Sequence, residues 1–179
     1  GFGNMAQAIF NGALHDRIYD QYQWCYFDHQ VPSHDRFDRY IESPSERIFF
    51  QRATVIILCV KPQQLSDVVR QFHRYNVSDK LVISIMAGIN SESIRNQLSA
   101  NCRVTRVMPN TPAKVKSGIS AISYDPNSTP DECSLVDDLF LAIGKIVTVD
   151  ESLMNTITAI SGSGRRDGQR TTRARLLEE

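Results

Sequence analysis

Thr54-Val55-Ile56-Ile57-Leu58-Cys59-Val60, followed at once by Lys61-Pro62, is the stretch on which the fold turns. Its residues are apolar or β-branched without interruption. A strand with one wet face alternates, so a continuous run reads as a strand covered on both faces, as in parallel sheets packed between helices. Pro62 then sets the first turn of a helix, where a missing N–H is no loss. Leu65, Val68, Val69 and Phe72 fall on one side of that helix, the stripe an amphipathic helix buries. Strand, proline and amphipathic helix make the first part of a βαβ unit.

The same pattern repeats outward. Leu81-Val82-Ile83-Ser84-Ile85-Met86 is a second buried strand, stopped by Gly88. A helix from about Ser91 to Leu98 follows, then a strand over 103–108 stopped by Pro109. Residues 118–123 and 145–149 read as two more strands. Between them Thr129-Pro130-Asp131-Glu132 supplies an N-cap, a proline at the first helical position and a capping-box glutamate, and Gly144 is expected to close the helix. Upstream, Ala6, Ile9, Phe10, Ala13 and Leu14 share one helical face over 6–14, and Trp24-Cys25-Tyr26-Phe27 is a short strand candidate ending at Asp28. The stretch 28–52 is polar and irregular and reads as loop with a poor helix around 35–41. A new helix begins at Asp150-Glu151, the expected boundary of the first unit. Alternating strands and helices with buried strands predict a doubly wound α/β sheet.

With 20 basic and 20 acidic residues in 179, the chain has no net charge. That excludes a general electrostatic attraction to nucleic acid or anionic membranes. Five arginines crowd into 165–175, and that segment, without apolar periodicity, reads as a disordered end. Cys25, Cys59, Cys102 and Cys133 are scattered, with no C-x-x-C pair; they read as structural thiols in a reducing cytosol, giving a cytoplasmic expectation. No run approaches the length of a membrane span. The four histidines have no metal-ligand spacing.

Ligands of a doubly wound sheet sit outside the carboxyl ends of its strands. Here those ends carry Val60-Lys61-Pro62, Met86-Ala87-Gly88 and Met108-Pro109-Asn110-Thr111-Pro112. Small residues and prolines let backbone approach a flat cofactor, and Asn110 and Thr111 can hydrogen-bond at a reacting edge. The chain opens with Gly1-Phe2-Gly3-Asn4-Met5-Ala6, a G-x-G-x-x-A turn that in dinucleotide-binding folds aims free backbone N–H groups at a pyrophosphate. The strand expected before that turn does not precede Gly1 in the sequence.

Together the Gly1–Ala6 turn, Val60-Lys61-Pro62-Gln63, Ser84–Ile89, Met108–Ala113 and Ser161-Gly162-Ser163-Gly164 resemble the pyrroline-5-carboxylate reductases. The resemblance covers Gly1 to Gly164. It implies a Rossmann-like domain over 1–149, the start of a helical dimerisation domain over 150–164, and a non-family tail over 165–179. It implies hydride transfer from NADP(H), or NAD(H), to the small-molecule substrate 1-pyrroline-5-carboxylate, giving L-proline in proline biosynthesis. Gly1, Gly3, Asn4 and Met5 would line the pyrophosphate; Cys59, Val60, Lys61 and Pro62 would pass beside the ribose and phosphates. Ile85, Met86 and Ala87 would flank the nicotinamide, with Asn110, Thr111 and Pro112 close to it. No catalytic residue and no metal site follows from it.

The resemblance stops after Gly164, where the family continues into a helical domain that makes the dimer and holds the substrate carboxylate. On that ground the chain reads as truncated, with a catalytically inactive nucleotide-binding remnant as the alternative. Residues 43–54, where the family's adenine loop would fall, match poorly. Asp28, 25 residues after Gly3, stands where an acidic side chain grips a ribose hydroxyl, whereas His29 and Arg36 would suit a 2′-phosphate, so the choice between the two cofactors stays open. Glu151, opening the last helix, reads as a cap complementing the helix dipole.

Overall fold

The computed structural model of the chain describes residues 1–16, 18–28, 45–75, 78–98 and 101–159. The helix expected around 35–41, the Ser161–Gly164 motif and the arginine-rich end lie outside them. Five strands, β1 (Val55–Leu58), β2 (Leu81–Ser84), β3 (Arg103–Pro109), β4 (Gly118–Ser123) and β5 (Gly144–Thr148), form one sheet in sequential order. The helices are α1 (Asn4–His15), α2 (Glu46–Arg52), α3 (Leu65–Tyr75), α4 (Ser91–Leu98) and α5 (Pro130–Leu141). β1, β2 and β3 run parallel, with Ile57 beside Ile83 and Ile83 beside Thr105. β4 pairs antiparallel to β3, and β5 runs parallel to β4. The reversal has a simple cause. The β3–β4 connection carries only a 3-10 turn, Thr111–Val115, and a parallel crossover needs a dozen or more residues. The expected Rossmann-like α/β class stands, as a mixed sheet.

Each face of the sheet is covered. One core joins α1 and α5 to the sheet through Ile9, Ala13, Ile83, Val107, Ile122, Leu139 and Phe140. The other joins α2, α3 and α4 to it through Phe50, Leu65, Phe72, Val82, Ile94, Leu98 and Val104. All four residues of β2 are buried, the consequence of a strand flanked on both edges and covered on both faces. Phe50 meets Phe72 edge-on at 5.2 Å between centroids and stacks on Tyr75 at 5.5 Å. α2 is therefore anchored by aromatic packing in a stretch where the sequence suggested only loop.

The α5 cap forms as expected: Glu132 N donates to Thr129 Oγ1 at 3.2 Å, and Thr129 N donates to Glu132 Oε2 at 3.0 Å. Gly144 plays a different part from the one expected. The helix ends at Leu141, and Gly144 instead opens β5 with φ +153°. A Cβ there would stand 2.1 Å from the carbonyl oxygen of Gly118, its partner in the register. Only glycine accommodates both the conformation and the contact.

The strand expected over Trp24–Phe27 does not join the sheet. Only Cys25 makes a bridge. A cavity of about 840 Å³ is lined by Cys25, Tyr26 and Phe27 on one side and by Val55, Ile56 and Ile57 of β1 on another. Val55 and Ile57 are only half-buried, so β1 lacks the burial on both faces that its composition suggests. None of the four cysteines is in a disulfide.

Candidate functional site

Because β1, β2 and β3 are parallel, their carboxyl ends and the segments that follow lie at one end of the sheet. Cys59–Pro62, Ile85–Gly88 and Asn110–Pro112 are those segments. Ile85 N donates to Leu58 O at 3.3 Å, tying the second to the first. The glycine turn docks on the first as well: a Cβ on Gly1 would lie 3.0 Å from the carbonyl oxygen of Cys59 and 3.2 Å from Val60 Cγ1. α1 packs against the 3-10 turn that follows Asn110, and Lys116 Nζ stands 3.7 Å from Asp16 Oδ1 at the end of α1. The sequence-predicted residues thus fall on four segments at one end of the sheet, the candidate crevice.

Their side chains contribute unequally. Met86 is buried in the α3–α4 core, so toward a ligand it offers only backbone, and Met86 N itself donates to Ser84 Oγ at 3.3 Å. Cys59 packs against the other core, and burial pushes its thiol up to about 12; it is a neutral packing group and no nucleophile. Lys61 is exposed. Its backbone N–H donates to Gln64 Oε1 at 3.1 Å at the start of the 3-10 turn Pro62–Gln64, and among the described residues no carboxylate pairs with its ammonium. Asn110 Oδ1 accepts from Ile119 N at 3.0 Å, and its backbone oxygen accepts from Ala113 N at 3.2 Å. The Asn110 amide NH2 is left to point a donor elsewhere.

The N-terminus of α1 is capped by Gly3, which has no side chain to satisfy the first-turn N–H groups. Such a terminus carries about half a positive charge and suits an anion. A Cβ built on Gly3 meets no atom within 4 Å. The glycine turn is thus tight at Gly1, against protein, and open at Gly3. Asp28 lies beside the turn, its Oδ2 accepting from Phe2 N at 2.7 Å; His29 and Arg36 lie outside the described residues.

Sequence reasoning missed one group. Glu151 was read as a cap, but the cap of its 3-10 turn is Asp150, which accepts from Ser152 N at 2.9 Å. Glu151 instead reaches away to Ser91 and Arg106. Nothing local in the sequence marks a partner 60 positions distant. Among the described residues there is no cluster of histidine, cysteine, aspartate and glutamate fit to hold a metal, and no helix long and apolar enough to cross a membrane.

Known proteins share this fold and are similar in sequence. The profile of the family described as NADP oxidoreductase, coenzyme F420-dependent, matches residues 1–88. A pyrroline-5-carboxylate reductase of Haemophilus influenzae is 36% identical over 166 residues, which is 91% of this chain and 61% of that protein. The chain is similar to pyrroline-5-carboxylate reductases over most of its length. A Methanosarcina acetivorans member is 39% identical over 122 residues, or 68% of this chain and 45% of its own length. The crystal structure of the Plasmodium falciparum pyrroline carboxylate reductase with NADP bound superposes with a TM-score of 0.80 at 26% identity, over 94% of this chain and 63% of that one. The chain therefore spans less than two thirds of the length of these reductases.

Proposed function

We propose that the crevice binds NADP(H), with NAD(H) as the lesser candidate, for hydride transfer to the C=N bond of 1-pyrroline-5-carboxylate, giving L-proline. One observation carries the reading: the N-terminus of α1, capped only by Gly3 with open space over it, docks on Cys59 and Val60 at the end of the sheet where β1, β2 and β3 finish. The residues present fit such a cofactor. Gly1, Gly3, Asn4 and Met5 would hold the pyrophosphate with backbone N–H groups. Cys59, Val60, Lys61 and Pro62 would run beside the ribose, with the Lys61 ammonium near phosphate charge. Ile85, Met86 and Ala87 would flank the nicotinamide through backbone and small side chains, and Asn110 and Thr111 would orient its reacting edge. Bound there, the cofactor supplies the hydride. The chain's task is positioning, since a protonated imine is electrophilic without further activation.

In this reading residues 1–149 are the nucleotide-binding unit, and 150–164 begin a helical unit through which the family assembles. Likeness over most of the chain favours the reductase over a non-catalytic remnant. The test has two parts. Calorimetry should detect NADPH binding, and Gly3→Val, whose side chain fills the space over the turn, should weaken it by about tenfold or more through lost phosphate contacts. A folded chain that ignores NADPH sinks the cofactor assignment. NADPH oxidation that follows a different imine or a keto acid, and not pyrroline-5-carboxylate, sinks the substrate assignment alone.

A further inference from the structure

At the centre of the sheet lies a charge that packing alone does not explain. Arg106 sits in β3 between Ser84 of β2 and Ser123 of β4 and is 2% exposed. Burying a guanidinium is costly, and a well-packed apolar side chain in its place would commonly be as stable or more so. Its partner is Glu151: Arg106 Nη1 donates to Glu151 Oε1 at 3.1 Å. Among the described residues Arg106 Nη2 is buried without an acceptor. Glu151 does more than neutralise it. Oε1 also accepts from the backbone N–H of Ser91 at 2.6 Å, and Oε2 accepts from Ser91 Oγ. One carboxylate therefore holds the first residue of α4, the middle of β3 and the start of the final described segment.

The placement gives the contact its meaning. Ser91 ends the short loop that starts with Ile85, Met86 and Ala87. Arg106 lies four residues before Asn110 on a rigid strand. The final segment continues from Glu151 as a helix over 154–159, and its Met154 and Ile157 pack on Met108 and Ala121. Glu151 thus spans the two segments that flank the nicotinamide edge of the crevice and touches neither the glycine turn nor Cys59–Pro62. Burial alone would raise its carboxyl, but the bonds from Ser91 and Arg106 hold it below the ordinary glutamate range, so it is an anion at neutral pH.

Resting on the cofactor reading above, we propose that Glu151 is a positioning residue. Through Ser91 and Arg106 it fixes the Ile85–Ala87 loop against the Asn110 turn, and so sets the nicotinamide end of the crevice independently of its pyrophosphate end.

Two ligands separate these ends in the full chain: NADPH, and 2′-phospho-ADP-ribose, which keeps the phosphates and lacks nicotinamide. For Glu151→Ala, calorimetry should show NADPH binding weakened about tenfold, the loss expected for charge-assisted hydrogen bonds, with 2′-phospho-ADP-ribose unchanged within about twofold. Glu151→Gln, whose amide oxygen still accepts from Ser91 N, should recover part of the loss. Ser91→Ala keeps the buried ion pair and guards against misfolding of the stronger variant. It should weaken NADPH by about threefold in the same selective manner. Equal weakening of both ligands means a merely structural role and overturns the proposal, as does no change in either. Wild-type chain that binds neither ligand overturns the cofactor reading and this proposal together. Wild-type binding with non-selective variants overturns this proposal alone.

Discussion

β1 and β2 are neighbours of similar composition, yet they live in different surroundings. β2 is bonded on both edges and covered on both faces, so every residue is buried. β1 is the sheet's edge among the described residues. It buries Ile56 and Leu58 against α2 and α3, while Val55 and Ile57 line the cavity shared with Cys25–Phe27. An unbroken apolar run therefore reports what a strand could bury and not what it does bury. Its stability contribution follows from the neighbours it finds.

The largest test of this contrast lies on the enclosed side. Phe72 is 1% exposed and wedged against Phe50, so Phe72→Ala should cost about 3–5 kcal/mol in urea unfolding, transfer and residual cavity combined. A loss under about 1 kcal/mol would show that this core collapses freely. An intermediate effect comes from Asp125, whose carboxylate accepts from Val104 N at 2.8 Å, from Asn127 N at 2.9 Å and from Arg95 at 2.6 Å. Burial pushes its carboxyl up, but these donors prevail and hold it below the usual range. A depressed folded value means stabilisation present above the unfolded value and lost as pH falls through that value toward the folded one. Unfolding free energy should accordingly decline with acid below about pH 5. Asp125→Asn should cost about 1–3 kcal/mol at pH 7 and flatten that decline. An unchanged acid slope would place the titration elsewhere. The smallest effect belongs to the open side: Ile57→Ala should cost only about 1 kcal/mol, because the side chain is half-covered and its removal creates no sealed void. A loss as large as that of Phe72→Ala would mean the cavity is closed in solution.

Much of the fold was legible because its signals are local. The Thr129–Glu132 cap and the strand-terminating Pro109 act within a few residues, and the structure places them as the sequence suggests. Three readings went astray for one shared reason. α2 is held by Phe50 against Phe72 and Tyr75, the Trp24–Phe27 stretch is not part of the five-stranded sheet among the described residues, and Glu151 finds its partners at Ser91 and Arg106. Each is decided by a contact or its absence across the chain, which neither propensity nor periodicity carries. Of the candidate crevice, the three strand-end segments could be grouped from the sequence, since parallel strands bring their carboxyl ends to one side. The buried backs of Met86 and Cys59 were not legible.

The turn after β3 carries one more consequence. Ala113 N and Ile119 N bond to Asn110, Ser117 N bonds to Pro112 O, and Lys116 at φ +57° completes the reversal. Asn110 and Thr111 are therefore ordered before any ligand arrives, and a ligand docking there incurs little fresh loss of chain entropy. The heat-capacity change on binding NADPH should then match the apolar area that the ligand covers, without the large negative excess that accompanies a segment folding around its guest.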